Sequence, residues 1–84
     1  MKMFIYCVHD SKAEAYMQPF FMQSKGQAIR SFDDVCNDNT TQFFKHPADF
    51  TLFELGTFDD SNGRIETYLA PVAIGNALEF KKSS

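Results

Sequence analysis

The segment from Phe50 to Gly63, FTLFELGTFDDSNG, is a strand-like run that ends in a turn. Its alternation predicts one arm of a β-hairpin, with Phe50, Leu52, Glu54, Gly56 and Phe58 on one face and Thr51, Phe53, Leu55 and Thr57 on the other. Asp59-Asp60-Ser61-Asn62-Gly63 supplies the reversal, because Asn and Gly accept positive φ at low cost. Arg64 to Ala70 then returns as the partner strand until Pro71. Upstream, Pro47 biases His46 toward extended backbone, so nothing helical is expected to run past Lys45.

The N-terminal run Met3 to Val8 reads as a strand that is apolar on both faces, Met3, Ile5 and Cys7 against Phe4, Tyr6 and Val8. That pattern suits a central strand, covered on one side and partly covered or used on the other. His9 to Lys12 is a polar turn, and Tyr16 to Met22 is a further extended segment held to an edge or to irregular structure by Pro19. Ser24 and Gln27 form a capping-box pair ahead of Ala28, Ile29, Phe32, Val35 and Cys36, which fall on one helical stripe. Arg30 and Asp34 lie outside that stripe at i,i+4 spacing, and Asn37 is suited to a left-handed closing conformation. Thr40 to Lys45 reads equally as a helical turn or a loop, and Val72 to Phe80 as a short strand or a broken helical turn.

These segments predict an α+β fold: a small, mostly antiparallel sheet of three to four strands packed against one amphipathic helix. The strands are Met3–Val8, Phe50–Phe58 and Arg64–Ala70, with Tyr16–Met22 as the fourth, and the Ala28–Cys36 face of the helix covers them. At 84 residues the chain is expected to form a single domain over 1–80, with 81–84 as a disordered tail. No secretory signal is recognisable before His9-Asp10, and no run reaches the ~18 apolar residues of a membrane span. Cys7 and Cys36 therefore read as small buried residues in a reducing compartment.

The net charge of −3 argues against a protein that wraps duplex DNA by neutralising phosphates, yet the charge is unevenly spread. Residues 1–31 balance to +2, 32–66 to −6 and 67–84 to +1. A nucleic-acid surface, if the chain has one, belongs with the basic N-terminal region; the competing reading is two solubilising faces.

No catalytic constellation stands out. Cys36 with His46 resembles a nucleophile and base only on paper, because Cys36 sits on the buried stripe where a neutral thiol is expected. Cys7, His9, Cys36 and His46 lack the close pairs of a zinc site, and the four glycines are too scattered to cradle a phosphate. Asp59 and Asp60 are accounted for by the turn. No enzyme activity, metal or cofactor is expected.

The aromatic content is the remaining lead. Ten phenylalanines and three tyrosines exceed what one small core holds, so some of Phe4, Tyr6, Tyr16, Phe20, Phe21, Phe53 and Tyr68 are expected at a surface or an interface. Rings of this kind serve single-strand binders as stacking platforms; an aromatic-rich core or a homodimer seam is the competing account.

Three blocks, MKMFIYCVHDSKAEAY, SKGQAIRSF and KHPADFTLFELGTFDDSNG, make the chain resemble the small non-structural protein of gokushoviruses, tailless single-stranded DNA phages of the microvirus group. The resemblance runs from about residue 2 to 63 and fades at Asn37–Phe44 and in the C-terminal third. It implies a non-enzymatic phage protein that binds single-stranded DNA during genome replication or packaging, in the host bacterial cytoplasm. In that role Lys2, Lys12, Lys25 and Arg30 would steer phosphates and Tyr6 and Tyr16 would stack bases; separately, the short chain and its surplus of aromatics lead to the expectation of a homo-oligomer, a homodimer. The alternative is a protein-interaction module that acts on the viral or host replication machinery through the acidic 32–66 region.

Overall fold

The computed structural model describes residues 1–81, and the expectation of a disordered tail at 82–84 lies outside them. Lys81 itself is placed, its ammonium 4.2 Å from the centroid of the Phe44 ring. Five strands make one antiparallel sheet: β1 (Lys2–Asp10), β2 (Ala15–Tyr16), β3 (Phe20–Met22), β4 (Phe50–Asp59) and β5 (Arg64–Asn76). Three helical segments, α1 (Lys25–Cys36), α2 (Gln42–Lys45) and α3 (Ala77–Phe80), complete an α+β architecture.

The sheet runs β2-β1-β4-β5, with β3 beside β2 on the same edge of β1. The apolar-on-both-faces strand is thus central. The expected Tyr16–Met22 strand is split in two, because Pro19 lacks a ladder donor. Met17 keeps contact with β1 between the halves, its amide donating to the Val8 carbonyl at 2.8 Å.

Cross-strand partners share a face. On that basis Phe4, Tyr6 and Val8 of β1 lie with Leu52, Glu54 and Thr57 of β4, and Met3, Ile5 and Cys7 lie on the other side. Phe32 and the other core residues Ala28, Cys36, Phe50 and Ala77 gather against Tyr6, Val8 and Leu52. This side is the helix face.

The expected alternation of β4 breaks once. Tyr6 pairs with Glu54 but Ile5 with Gly56, so Leu55 is an extra residue in a β-bulge. Gly56 and Phe58 therefore do not share a face with Phe50, Leu52 and Glu54, as strict alternation predicts; they stand with Ile5 and Met3 on the opposite side. The Phe58 ring confirms this by packing 5.8 Å from Phe21, the partner of Ile5 on β3.

Helix α1 begins as the sequence indicates, with Ser24 Oγ accepting from the Gln27 amide at 3.2 Å. The Gln27 side chain reaches one residue further back than expected and accepts from the Gln23 amide. At the other end Asn37 has φ −105°, not a left-handed conformation. Its side-chain amide instead donates to the carbonyls of Asp33 and Phe80, at 2.8 and 3.0 Å, which fastens the helix end to α3.

The helical layer is not one helix but three segments. Thr41 Oγ1 accepts from the Phe44 amide to start α2, and Asn76 with Glu79 forms a capping box that starts α3. A 3-10 turn at Pro47–Asp49, with proline at its first position, follows α2. The single turns bring Phe43 and Phe80 to within 6.0 and 5.4 Å of the Phe32 ring. The ambiguous Val72–Phe80 segment resolves into both of its readings, strand to Asn76 and helical turn after it. Strand β5 runs through Pro71 rather than stopping before it, because Tyr68–Pro71 form a second bulge opposite Leu55.

Two substitutions test this packing. Phe32→Ala removes a ring that is 3% exposed at the centre of the helix–sheet contact, so urea unfolding should show a loss of about 3–5 kcal/mol. A Cβ on Gly56 would lie 2.1 Å from the Glu66 carbonyl oxygen, a backbone atom that cannot swing aside. Gly56→Ala should therefore push β5 from β4 and cost about 1–3 kcal/mol by thermal or urea melting.

Candidate nucleic-acid interface

With all three helices gathered on the core side, the other face of the sheet carries no helix among the described residues. Register assigns its side chains: Met3, Ile5, Cys7 and His9 from β1, Tyr16 and Phe21 from β2 and β3, and Phe53 and Phe58 from β4. Ile65 and Thr67 of β5 extend it to the outer edge. Two aromatic groups form there. Tyr16 packs 4.6 Å from the His9 ring and 5.7 Å from Phe53, and Phe21 packs against Phe58. Ile5 and Cys7 lie buried among these rings.

The electrostatics of the two faces differ completely. The strand residues that carry formal charge are Lys2, Asp10, Glu54, Asp59, Arg64 and Glu66. Their partners, Lys2 with Asp59 and Arg64, Glu54 with Tyr6, Glu66 with Thr57 and Asp10 with Phe50, put all six on the helix face. No carboxylate from a described strand points to the open face. A chain of net charge −3 thus presents one uncharged, aromatic surface to solvent.

The expected site residues do not converge. Tyr6 is 0% exposed, stacked at 5.9 Å on Phe20 in the core, so no base can reach it. The sequence reading failed there because both faces of β1 are apolar and nothing local says which one the helices cover. Burial pushes the Tyr6 phenol well above its ordinary value, and the neighbouring Glu54 carboxylate adds to the effect. Among the described residues its hydroxyl has no hydrogen-bond partner, whereas Glu54 accepts from Tyr68 at 2.5 Å.

Tyr16 is 52% exposed and lies on the open face, with Lys12 in the turn just before it. Lys2 sits at the far end of the nine-residue β1, opposite Asp59. Lys25 and Arg30 are exposed on α1, on the other side of the sheet. Of the expected site residues, Lys12 and Tyr16 are thus the basic and aromatic members that lie at the same end of the sheet, in and just after the turn that follows β1. His9, Phe53, Phe21 and Phe58 were not singled out as a group by sequence, since their convergence depends on the bulge at Leu55 and on pairing across four strands.

Phe4 and Phe20 pack on the core instead of a surface. Between α1 and the β3 edge an apolar cleft of about 320 Å³ remains, lined by Val8, Met17, Phe20, Met22, Phe32, Val35 and Phe43, with Gln18 and Ser31 as its polar members. With no charged group in its wall, that cleft is suited only to apolar contact.

Of the residues drawn as a nucleophile and base, Cys36 is buried and His46 is exposed. Cys7 lies on the open face and Cys36 on the buried side of α1, both free thiols. Among the described residues no group of three or more His, Cys, Asp or Glu is placed to hold a metal ion, and no helix is long and apolar enough to cross a membrane. Burial pushes the Cys36 thiol up from 9.0 to about 11, with the Asp33 carboxylate adding to it. Folded protein therefore keeps a proton that unfolded chain loses, so this stabilisation is complete below about pH 9 and is lost as pH rises toward 11. Urea midpoints measured from pH 8 to 10.5 should fall, and should fall less steeply in Cys36→Ala. In native protein neither thiol should react appreciably with a disulfide reagent at pH 8.

Comparison with known proteins agrees with the resemblance read from the three sequence blocks. A family model described as phage ORF5 protein matches residues 3–80. Protein ORF5 of Chlamydia phage 1, a gokushovirus, is 39% identical over 85 aligned positions, which cover 95% of this chain and 88% of that one. No solved structure matches. The match spans every strand pairing and the helical layer that together create the open aromatic face, and the chain belongs to the phage ORF5 protein family.

Proposed function

We propose that this phage protein is a non-enzymatic binder of single-stranded nucleic acid, acting while the viral genome is synthesised or packaged in the host cytoplasm. The observation that supports this reading is the segregation of charge. Every charged side chain of the strands projects to the helix face, and the open face offers Tyr16, His9, Phe53, Phe21 and Phe58. Bases stack on such rings with little dependence on sequence, and the absence of carboxylates removes the repulsion a phosphate chain would meet elsewhere on this acidic protein. Lys12, exposed in the turn at the Tyr16 end of the platform, supplies a cation for the backbone.

Stacking and phosphate contact separate by their salt dependence. In titrations of a fluorescent oligonucleotide at two salt concentrations, Tyr16→Ala should cost about 1–3 kcal/mol of affinity and leave the slope of log K against log salt nearly unchanged. Lys12→Glu should weaken binding and flatten that slope by about 0.7 for the lost contact. Reversing Asp59 and Asp60 to lysine, in a turn off the platform, should leave Tyr16-dependent binding in place. If the wild-type protein fails to bind single strands even at low salt, this reading is wrong, and the acidic hairpin becomes the surface to probe with replication proteins.

A further inference from the structure

Among the described residues strand β5 is the outer strand of the sheet and pairs with β4 alone, so its other side presents backbone N–H and C=O groups without a neighbouring strand. Residues 64–73 are all exposed. Exposed edges invite pairing with another chain, and proteins blunt them with bulges and prolines. The second part of β5 has both devices, in the Tyr68–Pro71 bulge. The first part has neither: Arg64, Ile65, Glu66 and Thr67 pair one for one with Asp59, Phe58, Thr57 and Gly56 in unbroken register. At its centre Ile65 is 58% exposed, beside Phe58 on the open face.

We propose that this edge is covered by a second copy of the chain, its own β5 added antiparallel about a two-fold axis through Ile65. In a self-paired antiparallel ladder the axis position fixes every partner. An axis at Ile65 sets Arg64 opposite Glu66 of the partner subunit, repeats that pair by symmetry, and sets Ile65 against Ile65 of the partner subunit. An axis at Arg64 or at Glu66 opposes two like charges, one between Ile65 and Glu66 would pair residues whose side chains point to opposite faces, and one at Thr67 runs into the bulge. Charge complementarity therefore selects a single register. The perpendicular two-fold keeps both open faces on one side, so the two aromatic platforms become one continuous surface. This inference rests on the edge itself, and its test reads a covalent link between chains, so it stands or falls separately from nucleic-acid binding.

The register predicts a cross-link. Paired antiparallel residues have Cα atoms about 4.5–5.5 Å apart, inside the range a disulfide spans. Under mild oxidation at micromolar concentration, Ile65→Cys should yield a species of twice the 9.6 kDa chain mass. Leu69→Cys is the control: Leu69 is 107% exposed but sits in the bulge, and it should link at least about tenfold more slowly. The wild-type protein should not link, since Cys7 and Cys36 are buried. Adding Glu66→Arg to Ile65→Cys should slow linking by opposing arginines, and adding Arg64→Glu as well should restore it. Equal rates at positions 65 and 69, or a rate indifferent to Glu66→Arg, overturns the proposal. All four positions are exposed, so loss of folding does not confuse the outcome.

Discussion

The extra residue at Leu55 decides what each side of this sheet is. Without it, Gly56 and Phe58 would continue the face of Phe50 and Leu52, and Phe58 would compete for space beneath the helices. With it, the hairpin end of β4 is turned over. Phe58 meets Phe21 on the open face, and Gly56 lets the Glu66 backbone of β5 approach to a distance that no Cβ permits. The Tyr68–Pro71 bulge of β5 lies opposite the same residue, so two irregularities meet at one point; pairing is regular from there to Asp59–Arg64, and toward the other end it shifts once more, at Ile74 between the Leu52–Gly75 and Phe53–Ala73 pairs.

Charge follows from the same parity. Asp59, Arg64 and Glu66 share a side with Lys2 because the strands on both sides of β4 keep register from Gly56 to Asp59. The N-terminal ammonium of Met1 bonds Asp60 at 2.7 Å, which ties the start of β1 to the hairpin turn. The carboxylates of the strands are thereby collected on one side. What remains on the other side is aromatic and neutral, a surface whose available chemistry is stacking and apolar contact.

The helix face shows how a chain of this length completes a core. One helix with Ala28, Phe32 and Cys36 buried does not cover five strands, and the remainder comes from two single turns that contribute Phe43 and Phe80. Such turns have little stability of their own, since four residues barely exceed the cost of nucleating a helix. They persist because Thr41 and Asn76 cap them and because the Asn37 side chain binds the Phe80 carbonyl from α1.

Local chemistry was legible in the residues themselves. The Asp59–Gly63 turn, with Gly63 at φ 74°, and the Ser24 cap depend on neighbours within a few positions, where backbone preference and side-chain bonding act directly, and the apolar faces of Met3–Val8 marked a central strand; Pro19 marked Tyr16–Met22 as edge or irregular but not its division into two strands. Which face of β1 the helices cover, and hence that Tyr6 is core and Tyr16 is surface, is a property of how β1 pairs with strands near it and far along the chain, from His9 with Tyr16 to Lys2 with Asp59. The bulge at Leu55 likewise has no mark in an alternating run, because an inserted residue changes the parity of a strand only relative to its partner. Sequence by itself therefore determined the main strands, the long helix with its cap and the Asp59–Gly63 turn; the tertiary structure decided the short helical turns, the reach of β5 past Pro71 and which rings face outward, because these are set by packing and by register between strands and not by any residue's own preference.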